Sequence, residues 1–192
     1  MTFKKAEVIL HNQCDDVVLL ARIKAGEQAA FEILLRRYVS RFYRVAYRFV
    51  GQKSLAEDIV QEAFLKLWEK PNSWREELGT PFTVWFYRVV LNLCLDFKKK
   101  PKAEILSEHE ILIDDAVNQE EYLLKREREK ILELHIQALP CRQQMALNLC
   151  FYEGVGNQVA AEIMGINAKA LQSLLMRAKK TLKGKLSADL LI

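Results

Sequence analysis

The stretch "NQVAAEIMGINAKALQSLLMRAKKTL", residues 157–182, decides the fold class. Its apolar residues recur at intervals of three and four, which predicts two α-helices. A turn at Gly165 separates the helices, and Asn167 can cap the second one. Three residues of the first helix are expected to face inward: Val159, Ala160 and Ile163. The layout predicts a helix-turn-helix; the alternative is an ordinary helical hairpin with a solvated basic face.

The second helix of this stretch has two distinct faces. At 100° per residue, a narrow apolar stripe is expected to face the core: Leu171, Leu175, Ala178 and Leu182. Leu174 is expected to pack at the shoulder of this stripe, whereas Met176 falls on the opposite face. In a helix-turn-helix that binds DNA, the second helix enters the major groove and its cations neutralise phosphates. The candidate DNA-binding residues are Lys169, Gln172, Ser173, Met176, Arg177 and Lys180.

The rest of the chain follows the same helical pattern. Gly and Pro are scarce, at 7 and 4 of 192 residues, and β-branched alternation is absent. The sequence therefore predicts an all-α protein. The net charge of +4 is too small to indicate a nucleic-acid partner by itself, but the charge is unevenly distributed. Residues 101–121 carry seven acidic side chains against one lysine, and residues 165–192 carry six basic ones against one aspartate.

This charge distribution also predicts the domain organisation. Residues 101–121 lack apolar periodicity, which is typical of a solvated linker. We therefore expect two small helical domains at 15–100 and 122–186, joined by an acidic linker. The second begins in the charged helix "EYLLKREREKILELHIQAL", which breaks before Pro140.

The cysteines and the N-terminus favour a cytoplasmic protein. The four cysteines have no zinc-ligand spacing, and three lie inside apolar helical patterns, as buried free thiols do. The first fourteen residues contain only a short apolar run, well below the length of a signal-peptide core or a membrane span. No metal, cofactor or catalytic residue is expected.

The segment "SLAEDIVQEAFLKLWEK", residues 54–70, predicts a helix with an unusual polar face. Ser54 and Glu57 form an S-x-x-E capping box at its start. The exposed face should carry Glu57, Asp58, Gln61, Glu62 and Leu65, which we call the acidic strip. One apolar residue framed by carboxylates is typical of a protein-binding face. The alternative is a solvated polar face.

The segment "TPFTVWFYRVVLNLCLDFKKKPK", residues 80–102, interleaves aromatic and basic residues. Thr80 and Pro81 can start its helix. Aromatic rings beside cations suit unstacked, single-stranded bases. Most of these rings can instead belong to the core, so the expected outward groups are Tyr87, Arg88 and Asn92.

The order of these motifs resembles the extracytoplasmic-function sigma factors of bacterial RNA polymerase. The resemblance covers residues 15–185 and rests on two motifs in the right order across an acidic linker. It implies that the first domain is region 2, which docks on the β′ clamp helices of the core enzyme. The implied core-binding residues are Asp58, Gln61, Glu62 and Leu65.

The resemblance also implies how promoter DNA is bound. The helix from Pro81, with the loop "PNSWREELGT", would capture a flipped base and help to open the −10 element. The implied −10 residues are Trp85, Tyr87, Arg88, Asn92, Lys98, Lys99 and Lys100. The second domain would be region 4, which reads the −35 element and touches the β flap, while the linker threads the RNA exit path. An anti-sigma factor, able to hold the protein at the inner membrane, is a further expected partner.

The second helix of the helix-turn-helix departs from the family pattern. Gln172, Leu174 and Met176 stand where the family commonly has Lys, Arg and His, so fewer phosphate contacts are expected. A weaker or differently specific −35 reader, or one partly committed to another protein, would follow. Two other hypotheses therefore stay open: a sigma-like adaptor or decoy that binds an anti-sigma factor without initiating transcription, and a free-standing helix-turn-helix repressor.

Overall fold

The computed structural model describes residues 15–99 and 131–189, and all regular structure in these ranges is helical. The all-α prediction is confirmed. The predicted linker at 101–121, Lys100 and the start of the charged helix lie outside the described residues, so the domain boundary stays a prediction. The helices are α1 (Asp16–Lys24), α2 (Gln28–Val50), α3 (Lys53–Glu69), α4 (Phe82–Lys99), α5 (131–137), α6 (Cys141–Leu147), α7 (Asn157–Ile163) and α8 (Ala168–Asp189).

Local signals fix the helix ends of the first unit, residues 15–99. The Asp15 carboxylate accepts a hydrogen bond from the Val17 amide and so caps α1. Gly51 ends α2 with a φ of 77°, a left-handed conformation that glycine adopts without a Cβ penalty. The predicted capping box at Ser54 is wrong. Helix α3 begins at Lys53, so its cap position is Gln52, two residues before Ser54, and no side chain caps its start.

The interior of the first unit is a network of aromatic rings. Phe42 is fully buried, and its ring centroid lies 4.7 Å from that of Phe86 and 5.0 Å from that of Tyr87, in edge-to-face geometry. Phe64 lies 4.8 Å from Phe86 on the other side. Edge-to-face pairs add about 0.5–1.5 kcal/mol each beyond the apolar area they bury. The packing of α2, α3 and α4 therefore rests on large rings within one unit.

A short ordered loop precedes α4. It consists of two 3-10 turns, Pro71–Ser73 and Glu76–Leu78. Trp74 is buried between them, and its indole N–H donates to the Thr80 carbonyl at 3.0 Å. Because this bond crosses the loop, it fixes the segment that leads into α4.

The second unit, residues 131–189, contains the predicted helix-turn-helix. Gly165 makes the turn with a φ of 62°, and the Asn167 side chain accepts a hydrogen bond from the Ala170 amide at 2.8 Å. The prediction that Val159 faces inward is wrong, because Val159 is 39% exposed and Ala161 is buried instead. Small residues line the inner side of α7, and this lets α7 approach its neighbours closely.

Helix α6 does not end in an ordinary turn. It continues into a π-helical segment, Asn148–Tyr152, and the Glu153 amide donates to the Asn148 carbonyl five residues back. Such segments are rare and are often found at functional positions. Here the segment determines where Glu153 lies.

The two units share one apolar core. Residues of the second unit join the core cluster of the first: Met145, Ala146, Leu149, Ala160, Ala161, Ile163 and Leu171. A smaller cluster belongs to the second unit itself: Ile136, Leu139, Leu147, Ala178 and Leu182. In the described ranges, every helix is too short or too polar to cross a membrane.

Candidate functional site

The acidic strip lies on the surface of α3, as predicted. Asp58 and Gln61 are exposed, and the Leu65 side chain is 50% exposed. Glu62 is half-buried and pairs with Lys66 one turn later at 2.8 Å, which offsets part of the strip's negative charge. The strip therefore presents carboxylates, an amide and one leucine to solvent.

An apolar groove that was not predicted runs beside the acidic strip. It has a volume of about 620 Å³ and lies between α2 and α3. Its lining includes Leu35, Val39, Tyr43, Val60, Gln61 and Phe64. Gln61 belongs to both surfaces, so the groove and the strip form one continuous face.

Helix α4 presents only some of its predicted −10 residues to solvent. Asn92 is exposed, and Trp85 is half-buried with its ring 5.9 Å from that of Phe86. Lys99 is exposed and pairs with Asp96 at 3.2 Å. The Lys98 ammonium donates to the side chain of Gln144 at 2.6 Å and lies 4.5 Å from the centre of the Phe49 ring.

Tyr87 does not face outward, and this prediction is wrong. Only 2% of Tyr87 is exposed, and its hydroxyl donates to Glu153 of the second unit at 2.8 Å. The same carboxylate accepts hydrogen bonds from Arg41 at 3.1 Å and from Arg48 at 3.2 Å. We call these four residues the Glu153 cluster. Burial raises the pKa of Tyr87 above its ordinary value, and the hydrogen bond to the carboxylate raises it further.

Arg88 is half-buried, and it also contacts the second unit. Its guanidinium donates to the Glu162 carbonyl at 2.7 Å and lies 3.4 Å from the Glu162 carboxylate. The carbonyls at the end of α7 carry partial negative charge, which favours a cation there. Two predicted −10 residues, Tyr87 and Arg88, therefore already have partners in the other unit.

The predicted −35 residues all lie on the outward side of α8. The exposed ones are Lys169, Gln172, Met176, Arg177 and Lys180. Ser173 is half-buried, and its hydroxyl donates to the Lys169 carbonyl at 3.0 Å. Leu171, Ala178 and Leu182 are buried, and Leu174 packs partly buried against the core. The predicted orientation of α8 is confirmed, and Met176 is 67% exposed.

Two buried amides of the second unit were missed by sequence reasoning. The Gln144 amide donates to the carbonyls of Arg48 and Phe49, each at 3.1 Å, and the Asn148 amide donates to the Val45 carbonyl at 3.3 Å. The Arg48 and Phe49 carbonyls lie in the last turn of α2 and have no helical partner there, whereas the Val45 carbonyl lies about one turn earlier. The signal was present: two amides four residues apart interrupt an otherwise apolar run, and that spacing places them on one helix face.

Known protein families match both units. The model "Sigma-70 region 2" matches residues 34–104, and the model "Sigma-70, region 4" matches residues 124–182. This chain belongs to the sigma-70 family. Together the two models cover about two-thirds of the chain, in the order that the motifs predicted.

Relatives over nearly the full length place the protein in the extracytoplasmic-function group. The ECF RNA polymerase sigma-E factor of Haemophilus influenzae is 28% identical over 185 residues, which cover 91% of this chain and 96% of the relative. The ECF RNA polymerase sigma factor SigW of Bacillus subtilis is 24% identical and covers 87% and 94%. The sigma-E factor of Escherichia coli K12 is 26% identical and covers 92% and 96%. The protein is an ECF sigma factor that acts in transcription initiation, and the adaptor hypothesis is not favoured.

Solved structures share the fold. CnrH, in complex with the cytosolic domain of CnrY, superposes with a TM-score of 0.67 at 23% identity, covering 91% of this chain and 98% of CnrH. RpoE from Bartonella quintana, in complex with the anti-sigma factor NepR, gives 0.60 at 22% identity, covering 83% and 98%. These similarities support the fold of the two sigma units.

Proposed function

We propose that this sigma factor binds core RNA polymerase through α3, opens the −10 element with α4 and the preceding loop, and reads the −35 element with α8. The observation that carries the proposal is the outward position of two faces on the two matched units. One is the acidic strip on α3, and the other is the basic and polar face of α8.

Binding to the core enzyme uses the acidic strip at Asp58, Gln61, Glu62 and Leu65. Carboxylates around an exposed leucine complement a basic helical partner such as the β′ clamp helices, because charge steers the encounter and the apolar side chain is buried on contact. The adjoining groove between α2 and α3 adds apolar area to this face.

Opening of the −10 element uses the loop fixed by Trp74 together with α4. Trp85 and Asn92 supply a ring and an amide for unstacked bases, and Lys98 to Lys100 supply charge for the backbone. Arg88 lies on the same helix, where its guanidinium donates to the Glu162 carbonyl of the second unit.

Reading of the −35 element uses the N-terminal half of α8. Lys169, Arg177 and Lys180 contact phosphates, while Gln172 and Ser173 face base edges. The exposed Met176 meets an apolar base edge, such as a thymine methyl group, or a partner protein. The β flap is the expected polymerase contact of this unit.

An anti-sigma factor is the expected regulator. The solved relatives RpoE and CnrH were determined as complexes, RpoE with the anti-sigma factor NepR and CnrH with the cytosolic domain of CnrY. We place the protein in the cytoplasm, where such a partner can hold it at the inner membrane.

Run-off transcription with purified core enzyme on genomic templates tests the proposal. We expect promoter-specific transcripts, and Leu65→Asp should abolish them by preventing core binding, whereas Val18→Asp, at a similarly exposed residue of α1, should not. The proposal is wrong if no transcript rises above core enzyme alone and the protein does not bind the β′ clamp helices.

The salt dependence of promoter binding tests the roles on α8. Lys169→Ala, Arg177→Ala and Lys180→Ala should each lower the slope of log K against log salt by about one unit, because each phosphate contact releases counterions. Arg36→Ala removes an exposed cation from α2 and serves as the matched control. An unchanged slope in an α8 variant refutes that residue's contact.

A further inference from the structure

We propose that helix α1 positions the loop that precedes α4, and that Lys24 at the end of α1 thereby helps to open promoter DNA without contacting it. We call residues 71–80 the −10 loop. The inference rests on the proposed role of this loop in opening the −10 element. The region 2 model matches the chain only from residue 34, so that match assigns no role to α1.

The N-terminal end of α1 is hydrogen-bonded to α2. The Asp16 carboxylate accepts a hydrogen bond from the Arg37 guanidinium at 2.5 Å and another from the Tyr38 hydroxyl. Hydrogen bonds to an ionised group are stronger than those between neutral groups. The apolar side of α1 is buried through Leu19, Leu20 and Ile23. Helix α1 is therefore fixed relative to α2.

The C-terminal end of α1 contacts the −10 loop. The Lys24 ammonium lies over the Trp74 ring, 5.5 Å from its centre. The first 3-10 turn of the loop, Pro71–Ser73, also packs against α1. The negative face of an indole ring attracts a cation more strongly than that of any other aromatic side chain. Lys24 therefore joins the fixed helix to a buried ring of the loop.

Trp74 connects this contact to α4. Its side chain is only 4% exposed, and its indole N–H donates to the Thr80 carbonyl at 3.0 Å. Its ring centroid lies 6.2 Å from that of Phe82, the first residue of α4, and Phe82 lies 5.7 Å from Tyr38. Because the Tyr38 hydroxyl is bonded to Asp16, these contacts form a closed circuit that includes both ends of α1.

The other side chains of the −10 loop contribute little burial. Asn72 and Arg75 are exposed, and Leu78 is 73% exposed. The position of the loop therefore depends on Trp74 and on the groups that hold Trp74. A loop that already has its binding conformation loses less conformational entropy when it binds. Weakening the Lys24 contact should therefore impair the capture of unpaired bases, whereas binding to closed duplex DNA should not change.

The experiment uses holoenzyme assembled from core enzyme and the full-length protein, on a promoter fragment identified by the run-off assay. Lys24→Met keeps an unbranched side chain and removes the charge, whereas Lys24→Arg keeps a cation that can lie over the ring. Trp74→Phe keeps a ring and removes the N–H donor. Arg36→Ala removes an exposed cation from α2 and is the matched control. Far-UV circular dichroism establishes that each variant is folded.

Three quantities are measured. Permanganate reactivity of thymines in the −10 element gives the ratio of open to closed complex. Fluorescence anisotropy at low temperature, where the duplex stays closed, gives the affinity of the closed complex. Amide hydrogen exchange of Ser73 and Gly79 in the free protein reports the loop itself, because these amides donate to the Lys70 and Glu76 carbonyls in its two 3-10 turns.

We expect Lys24→Met to lower the ratio of open to closed complex about two- to fivefold, which corresponds to the loss of one exposed cation–π contact. Exchange at Ser73 and Gly79 should accelerate, and the affinity of the closed complex should not change. Lys24→Arg should restore both affected quantities. Trp74→Phe should act in the same direction with a larger effect, because it also removes the hydrogen bond to Thr80.

The failures of the two proposals are distinguishable. If promoter-specific transcripts are made but Lys24→Met opens the promoter as the control does, or Lys24→Arg is as impaired as Lys24→Met, the positioning role is overturned while the proposed function stands. If Lys24→Met instead lowers the affinity of the closed complex and its salt slope, Lys24 contacts a phosphate directly and the inference is also overturned. Absence of transcripts with the unmodified protein overturns the proposed function, and the inference fails with it.

Discussion

The two units of this sigma factor are stabilised in different ways. The first buries large rings against one another, and Phe42, Phe64 and Phe86 contact within the unit. The second buries small and aliphatic residues, and several of these join the core of the first unit, including Ala160 and Leu171. The first unit can therefore retain its interior alone, whereas the second depends on its neighbour.

The largest expected effect is that of Phe42→Ala in the aromatic core. Removal of a fully buried phenylalanine costs about 3–5 kcal/mol, from lost burial and the cavity left behind. Because the second unit depends on this core, both units should unfold together. All three tryptophans lie in the first unit, so their fluorescence reports it alone, whereas far-UV circular dichroism reports both. The unfolding transitions measured by the two signals should coincide in urea. If circular dichroism shows that the second unit is still folded after the fluorescence change is complete, the second unit does not depend on the first.

In Ala160→Leu, the unfolding transitions of the two units should no longer coincide. Ala160 is fully buried where α7 meets the shared core, and overpacking there costs about 1–3 kcal/mol. We expect the loss in circular dichroism to precede the loss in tryptophan fluorescence, because the second unit separates first. Val159→Leu adds bulk at the neighbouring exposed position and should leave both transitions in place. Coincident transitions in Ala160→Leu would show that the units are not separable.

Asn167→Ala should weaken the second unit without touching the contact between units. Loss of the cap at the start of α8 costs about 1 kcal/mol, since the Ala170 amide loses its acceptor. Amide hydrogen exchange in the first turn of α8 should accelerate by the factor that corresponds to this loss of free energy. Asn157→Ala is the matched control, because the cap of α7 is Gly156 and Asn157 is exposed. Equal exchange in both variants would contradict the role of Asn167.

The smallest expected effect concerns the ion pair between Arg22 and Glu27 inside the first unit. The hydrogen bond from Arg22 lowers the pKa of Glu27 below its ordinary value. A lowered folded-state pKa contributes stability above the unfolded pKa, and that contribution is lost as pH falls through the folded value. In carboxyl-detected NMR titrations, Arg22→Gln should raise the pKa of Glu27, and Arg36→Gln should leave it unchanged. An unshifted pKa in Arg22→Gln would show that this local pair is not formed in solution.

Local patterns predicted much of this molecule. Helical periodicity identified the α8 faces, including the exposed Met176 and the packed Leu174, and the Asn167 cap followed from residue type. Apolar and charged spacing on α3 identified the acidic strip. These features depend on residues within a few turns of one another.

The remaining features depend on contacts between distant segments. Tyr87 was expected outside because its own helix has another apolar stripe, but Glu153, 66 residues later, gives its hydroxyl a buried partner. Val159 was expected inside because it falls within about 100° of Ala160 and Ile163 on α7, but the core contacts the side of the helix that also carries Ala161. In both cases the tertiary contact determined burial, and the helical period could not.

The π-helical segment Asn148–Tyr152 makes the position of Glu153 sensitive to chain length. Each residue of an α-helix turns the chain by about 100°, so one residue more or fewer rotates everything that follows. Deleting Cys150 would convert the segment to an ordinary helical turn and aim Glu153 away from Arg41 and Tyr87. A one-residue insertion or deletion here would therefore remove the hydrogen bonds that join Glu153 to Arg41, Arg48 and Tyr87, although none of these four residues is itself replaced.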